Sequence, residues 1–474
     1  MKGIWLDRIA ILVSIIMLML YLSTMSISLD DEDSAHFALG IREFNVTKYQ
    51  PHPPGFPAYI GMGMLLNTFV GNGLLALTLL SALSGAGCVY VFYLLLREMA
   101  NRRVALMSSF LMAITPLFWL NSVKALSDMP GLFFTLLSLF FVYNYHKHSR
   151  RRNLLIGALV AGIAAGVRIH SAAILIPVIL YSALLCRKDR KSALMAGGVF
   201  ALTVLAWLVP VMLVTGPAEY VNVIGEQLAF RAEVPEISLV GSGTGDILER
   251  VIGFPYFFLL EGYGINLAGL GILSVALLVL MAALFGMFLR EMTFRDERFL
   301  FLLSGVLPYL IMVFVFFPPF NPRYLLVIVP IISVCLVKAI LFFESKKRWM
   351  VLSLLAFLLL FHSVYLASII KSVPSPPVQL IGYVNDDYEP GDVILLPGFA
   401  ERYFAYYGTS LGVLPAESTD CETIRSTPME GSRVFSVVQK DCQGIGSVKV
   451  MEFSRDSRVH IKRSRIGLYE LLPI

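Results

Sequence analysis

A chain of 474 residues that is 57% hydrophobic and only 15% charged, with a mean hydropathy of +0.74, is not a soluble globular protein, in which about a quarter of residues carry charge. Abundant Leu, Ile, Val and Phe exclude disorder. The formal net charge of +5 does not signal nucleic acid, because the basic residues sit in short clusters between apolar runs instead of in a patch beside aromatics.

Crossing a bilayer takes about 20 apolar residues. Runs near that length fall at 9–29, 74–96, 104–120, 193–214, 265–289, 299–317, 324–343 and 349–370, and shorter ones at 131–145, 154–167 and 171–186. The pattern predicts an α-helical polytopic membrane protein with about 11 transmembrane helices, the first retained and not removed as a signal peptide. With the N-terminus cytoplasmic, the inner segments 1–8, 97–103, 147–152, 187–191, 290–298 and 346–348 carry 19 Lys or Arg, and the much longer outer connections carry 7. That asymmetry follows the positive-inside rule. An odd number of crossings then divides the chain into a transmembrane part, 1–370, and a small C-terminal extracytoplasmic α/β domain, 371–474, whose apolar stretches 393–396 and 434–438 are separated by Pro-Gly and Gly-Ser turns.

The outer connections include a first loop at 29–57 and a larger one at 215–255, the latter expected to form short helices. Residues 55–70 read as an interfacial helix. The stretch 154–186 has basic residues at both ends, so it must go in and come back. It turns at Arg168-Ile169-His170, within protein or a water-filled cavity. Cys88, Cys186 and Cys335 lie in or beside apolar runs and read as small buried hydrophobes. Cys421 and Cys442 lack CxxC spacing and could form a disulfide in an extracytoplasmic tail.

Three outer segments could carry chemistry. The first, "LDDEDSAHFALGIREFNVTKYQPHPPGFP", opens on four consecutive acids, Asp30 to Asp33, directly after a span. Crowded carboxylates raise one another's pKa, and Asp31, Glu32 and Asp33 could either bind a divalent cation or leave one carboxylate as a base; acids could also simply mark the outer end of a helix. The second, "NSVKALSDMPGLFF", contributes Lys124 and Asp128, which could be a surface ion pair, with Asp128 alternatively a helix cap. The third, "FFPPFNPRYLLVIVP", places Arg323 and Tyr324 at the membrane surface, where arginine can bind phosphate or snorkel beside an aromatic belt. Arg168 and His170 at the turn add a cation and a titratable group at membrane depth. Carboxylates and cations converging on one face suit a lipid-phosphate substrate and a hydroxyl acceptor.

The order and sidedness of these segments resemble the GT-C superfamily of membrane glycosyltransferases, in the branch containing protein O-mannosyltransferases and lipid A aminoarabinose transferases. "DSAHFALGIREF" is similar to the family's D-E-A-R-Y-A-x-x-A-R-E-M, which maps the catalytic Asp onto Asp33. Ser34 stands where that motif has its second acid, leaving Asp31, Glu32 or Asp128 to supply it. His52 falls where relatives have Lys or His before Pro-Pro, Asp128 falls on the acid of t-D-m-P, and Arg323-Tyr324 match the outer arginine-tyrosine motif. The resemblance implies inverting transfer of a sugar from a polyprenyl-phosphate donor to a lipid, glycan or protein hydroxyl at the outer membrane face. Asp33 would act as general base, Arg323 with Arg168 or Lys124 would hold the phosphate, and His52 and Asp128 would shape the sugar and acceptor sites. No cofactor is required by this chemistry, although a divalent metal is compatible with it, and no GxGxxG or P-loop is present. The rival reading is a secondary transporter or lipid flippase with Arg168 and His170 in its substrate site, which predicts charges near the bilayer midplane. A noncatalytic membrane subunit is the third, for which Asp33 would be replaceable.

Overall fold

The computed structural model describes residues 4–234, 237–242, 246–260, 262–265, 271–291, 297–416, 433–437, 445–455 and 464–473. Cys421 and Cys442 lie outside the described residues. The chain begins with α1 (Ile4–Ser23), followed by α2 (Glu32–Arg42) and α3 (Pro57–Val70) in the first expected loop. Pro57 opens α3 where its missing N–H leaves no bond unmade, and Gly71 closes it in the left-handed region at φ 67°. Asn72 caps α4 (Gly73–Met99) by accepting from the Leu75 amide at 3.0 Å.

The run expected as one span at 104–120 is instead two helices, α5 (Arg102–Ala113) and α6 (Pro116–Val123), bent by 64°. Pro116 cannot donate to the preceding turn and forces Thr115 into extended backbone. Next come α7 (Asp128–His148) and α8 (Arg151–Val167), packed as a hairpin, and α9 (Ala172–Leu180), entered by a 3-10 turn at Ile169–Ser171 and prolonged by a π-helical turn at Tyr181–Cys186. The change of direction expected at Arg168-Ile169-His170 is this helical break.

After α10 (Arg190–Thr215), the segment expected to hold short helices contains α11 (Pro217–Glu233), α12 (Leu239–Ser242) and α13 (Ile247–Leu260). Four further helices complete the apolar part: α14 (Gly271–Glu291), α15 (Glu297–Phe316), α16 (Val329–Ile340), preceded by a 3-10 segment at Pro322–Ile328, and α17 (Ser345–Ser372). Among the described residues, eight helices are long and apolar enough to cross a membrane, or nine if α5 and α6 form one span. The segments expected at 131–145 and 154–167 are helical, as α7 and α8, but fall outside that group.

The tail is an α/β unit: α18 (Pro376–Asp387), β1 (Val393–Leu396), α19 (Gly398–Tyr407), β2 (Gly412–Pro415), β3 (Val434–Ser436), β4 (Ile445–Ser454) and β5 (Arg465–Pro473). Its sheet runs β2-β1-β3-β5-β4, with β1 parallel to both neighbours and β5 antiparallel to β3 and β4. Val393 lies opposite Gly412 on one side and Val434 on the other, so two apolar stretches recognisable in the sequence become central strands.

Two large apolar cores result. One fills the bundle around Tyr21, Phe118, Trp119 and Phe301. The other runs from the first loop into the tail, packing Leu29, Phe37 and Tyr59 with Leu380, Tyr403, Phe435 and Leu468. Polar bonds cross the same junction. The Leu29 amide donates to Tyr407 Oη at 3.1 Å, Ser375 Oγ donates to the Leu29 carbonyl at 2.6 Å, and Arg42 Nη1 donates to the Tyr406 carbonyl at 2.7 Å. The tail is thereby fastened to the loop that carries the acid run.

Candidate active site

The four acids separate because α2 begins inside the run. Asp31 occupies the N-cap position in extended backbone, and Glu32 and Asp33 form the first turn, where the helix dipole favours carboxylates. Asp30 points into the junction with the tail and pairs with Arg455, both side chains fully buried. Asp31 Oδ2 lies 3.5 Å from Lys124 Nζ, and Glu32 Oε1 lies 3.8 Å from His36 Nε2. Asp33 Oδ2 accepts from Arg323 Nη2, and its Oδ1 is 3.8 Å from His52 Nε2. Asp31, Glu32 and Asp33, the candidates for a divalent cation, each face a different cationic or imidazole partner, and among the described residues they form no group of converging ligand atoms. The expected upward push on a crowded carboxylate is also reversed at Asp33. Burial does raise its pKa, but the Arg323 guanidinium and the His52 and His36 imidazoles outweigh burial and hold it well below the usual carboxylate range.

Asp128 does not pair with Lys124. It opens α7 with its side chain 2% exposed, and Arg168 Nη1, from the C-cap of α8, reaches its Oδ2 at 2.8 Å. Gly131, one turn into α7, makes this possible, since a Cβ there would stand 3.2 Å from Arg168 Cβ and 3.3 Å from its Cδ. Arg168 Nη1 also donates to Ser127 Oγ at 3.3 Å. Arg323 Nη1 lies 3.9 Å from the same Asp128 oxygen. The result is a continuous alternation, Asp33, Arg323, Asp128, Arg168, assembled from α2, the 3-10 segment, α7 and α8.

Rings frame these charges. The Tyr324 ring lies 5.5 Å from both the Arg323 and the Arg168 guanidinium carbons. His170 meets Phe317 edge-on at 4.7 Å and Tyr324 at 6.5 Å. His52 sits among Phe37, Phe56 and His36 at 4.8–5.4 Å, and burial pushes its pKa down to about 4, so it faces Asp33 as neutral imidazole. Asp33, His52, Asp128, Arg168, His170, Arg323 and Tyr324 therefore lie on one connected face, with Lys124 joined through Asp31.

Sequence reasoning missed Tyr309, whose hydroxyl donates to the Tyr324 carbonyl at 2.7 Å, and Arg231 of α11, whose guanidinium lies 5.1 Å from the Phe317 ring. Arg231 did carry a signal: it is one of only two basic residues in the acid-rich stretch 215–255. Arg455 carried none, lying 425 residues from Asp30.

The 3-10 segment also sorts space. With three residues per turn, Arg323 and Leu326 share one side, and Leu325 and Ile328 another. The first side closes a cavity of about 30 Å³ with Asp128, Arg168, His170 and Tyr309. The second borders an apolar groove of about 780 Å³ lined by side chains such as Phe254, Phe258, Met281, Phe285, Phe314 and Ile332. Arg323 Nε and Nη1 are buried without a hydrogen bond from any of the described residues, so donors for an anionic oxygen stand beside a slot suited to a hydrocarbon chain.

Residues 51–213 match the profile of the dolichyl-phosphate-mannose-protein mannosyltransferase family. No curated protein sequence matches the chain. Among solved structures, ArnT from Cupriavidus metallidurans bound to undecaprenyl phosphate superposes with a TM-score of 0.62 at 12% identity, covering 98% of this chain and 97% of that one. The same enzyme in its apo state gives 0.58, also at 12% identity and over 98% and 97% of the two chains. The Archaeoglobus fulgidus oligosaccharyltransferase in complex with Zn and sulfate gives 0.53 at 15% identity, over 91% of this chain and 67% of that one. At such identities the structural likeness is one of fold, and the sequence match covers the loop with His52 through α10. On the two together, the chain shares the fold of these membrane proteins over most of its length, and residues 51–213 resemble the protein mannosyltransferase family.

Proposed function

We propose that the protein transfers a sugar, with inversion, from a polyprenyl-phosphate donor to a hydroxyl of a lipid, glycan or protein acceptor at the outer membrane face. The observation that carries this reading is the juxtaposition, across one 3-10 segment, of Arg323 with its buried unbonded donors and the apolar groove beside Leu325 and Ile328. A polyprenyl chain fits the groove, and its phosphate meets Arg323. The fold shared with a structure that holds undecaprenyl phosphate supports the same donor class.

Asp33 is the general base. It takes the acceptor O–H proton as the acceptor oxygen attacks the anomeric carbon from the face opposite the phosphate. The bond from that carbon to the phosphate oxygen breaks, and the lipid phosphate leaves with the bonding pair. Such a leaving group needs no proton, so guanidinium charge from Arg323 and Arg168 suffices to stabilise it. In the free protein Arg323 holds Asp33. A phosphate that draws Arg323 toward itself raises the basicity of Asp33 when the donor is in place. Asp128 keeps the two arginines at a fixed separation, Lys124 orients Asp31 at the rim, and His52, His170 and Tyr324 shape the sugar and acceptor pockets.

In this reading α7 and α8 also cross, which with the other spans makes eleven crossings, places the N-terminus in the cytoplasm and puts 371–474 outside as an α/β domain docked on the first loop. Charged groups at helix ends, Asp128 opening α7 and Arg168 closing α8, favour it over a transporter with a midplane site. The test replaces Asp33 with Asn and follows sugar transfer from a polyprenyl-phosphate donor in membranes. Transfer at the wild-type rate would overturn the base assignment. Reporter fusions at 150 and 400 must report opposite sides, and matching sides would remove the odd-span topology.

A further inference from the structure

At the opposite ends of the helices that build the site, a second cluster has no part in transfer. His146 ends α7, Cys186 ends the π-helical turn after α9, and Glu297 begins α15. Their potential ligand atoms all lie within 4.8 Å of one another, with His146 Nε2 3.3 Å from Glu297 Oε1. The sequence suggested only a buried hydrophobe at Cys186. The fold instead places it beside an imidazole and a carboxylate.

We propose that His146, Cys186 and Glu297 form a metal site for Zn²⁺ or a similar borderline divalent ion. Imidazole nitrogen, thiolate sulfur and carboxylate oxygen are the donor types such an ion takes, with water completing a tetrahedron. Around zinc, with bonds of about 2.0–2.3 Å, neighbouring ligand atoms stand roughly 3.3–3.8 Å apart. Contraction of about an ångström therefore closes the cluster, and the Glu297 side chain, 71% exposed, is free to supply it.

The imidazole is held ready. Its ring stacks between Tyr143 at 5.8 Å and Tyr181 at 6.1 Å, with Phe301 at 5.3 Å. His146 is 5% exposed, its Nε2 faces Glu297, and its Nδ1 is buried with no hydrogen-bond partner among the described residues. The π-helical turn, closed by the Arg187 amide donating to the Ser182 carbonyl at 3.1 Å, shifts Cys186 out of α-helical register. Arg187 also donates to the His146 carbonyl, tying the chain just after Cys186 to the end of α7. Binding displaces one proton, from the Cys186 thiol, and forms the sulfur–metal bond.

The consequence is mechanical. The ion would tie together the inner ends of α7, α9 and α15. The outer end of α7 carries Asp128, α9 follows the turn with Arg168 and His170, and α15 leads to Arg323.

The experiment uses full-length protein in detergent, stripped with chelator and titrated with Zn²⁺ and separately with Co²⁺. One Zn²⁺ per chain is expected, with a rise in melting temperature, and Co²⁺ should give a thiolate-to-metal charge-transfer band. C186S should abolish the band. E297Q changes an exposed side chain and leaves folding intact, and it should weaken Zn²⁺ binding by about 10- to 100-fold or more, the loss that even lesser disturbances of metal sites produce. D33N should bind Zn²⁺ as wild type does. The proposal fails if wild type binds no stoichiometric Zn²⁺, if the cobalt band is absent, or if E297Q and C186S both bind with unchanged affinity.

Discussion

Asp30 and Asp33 stand three residues apart in one acid run and each meets an arginine, yet their surroundings make them different devices. The Asp30–Arg455 pair is fully buried between the first loop and the tail, enclosed by the apolar core of Leu29, Leu380 and Phe453. The Asp33–Arg323 pair keeps 29% and 13% of its side chains open, and its arginine has donors left unbonded. A sealed pair can only hold two elements together, since nothing can enter to exchange with either partner. An open pair can trade its partner for a substrate. In the proposed function the same chemistry serves as a fastener in one place and as machinery in the other, and burial decides which.

Breaking each pair should produce opposite patterns. Asp33→Asn removes the proposed base, and transfer should fall by about 10²- to 10⁴-fold, with a stability loss smaller than that from breaking the sealed pair. Rate assays and melting curves on the same preparation check both halves, and a stability loss as large as that of the sealed pair would contradict the open-pair reading. Arg455→Met leaves a buried carboxylate unpaired and should destabilise by roughly 3–5 kcal/mol. Adding Asp30→Leu should recover most of that stability, because an apolar pair replaces a sealed ionic one. Failure of the double variant to recover in denaturation would mean that the pair does more than fasten.

The sequence made one side of this comparison visible. Asp33, His52, Asp128 and Arg323 stand in local motifs, so their types, order and sidedness could be read without a fold. Their partners could not. Asp128 chooses Arg168 over the nearby Lys124 because α7 and α8 form a hairpin and Gly131 clears a path, and neither fact is local to Asp128. Whether the acids form one cation site or leave one carboxylate as a base stayed open, because the sequence does not show that α2 begins between them and fans them outward. The break between α5 and α6 was legible in Thr115-Pro116, but unbroken hydropathy across 104–120 concealed it. In the tail, β1 and β3 announced themselves as short apolar runs. That the tail shares a core with the first loop depends on contacts across more than 300 residues, such as Arg42 with Tyr406.

A smaller perturbation of the open pair sharpens its role. Arg323→Lys keeps the charge but loses the planar fork that can serve Asp33 and a phosphate together. Transfer should drop by about 10- to 100-fold, roughly the loss of one charge-assisted bond of 1.5–3 kcal/mol. With weaker stabilisation of its carboxylate, Asp33 should titrate higher. The acid limb of the kcat/KM profile should therefore move to higher pH, and an unmoved limb would separate Arg323 from Asp33.

The smallest expected effect lies in the pH dependence of stability, and it isolates His52. Its folded pKa of about 4 is below the unfolded value of about 6.5, so on acidification the unfolded chain takes up the proton first. The contribution of neutral His52 is complete above about pH 7 and is lost as pH falls from about 6.5 toward 4, amounting to about 2 kcal/mol by pH 5. Asp33 acts in the same direction only at lower pH. Its folded pKa is depressed, so its stabilising effect is present above an unfolded value of about 3.9 and fades as pH falls below that. The two groups thus occupy separate windows. His52→Asn should flatten the melting temperature between pH 7 and 5 without changing its fall below pH 4, and Asp33→Asn should do the reverse. If both substitutions altered the same window, the imidazole and the carboxylate would be titrating as one unit, and the 3.8 Å between them would have to be read as a shared proton and not as a neutral ring facing a charged base.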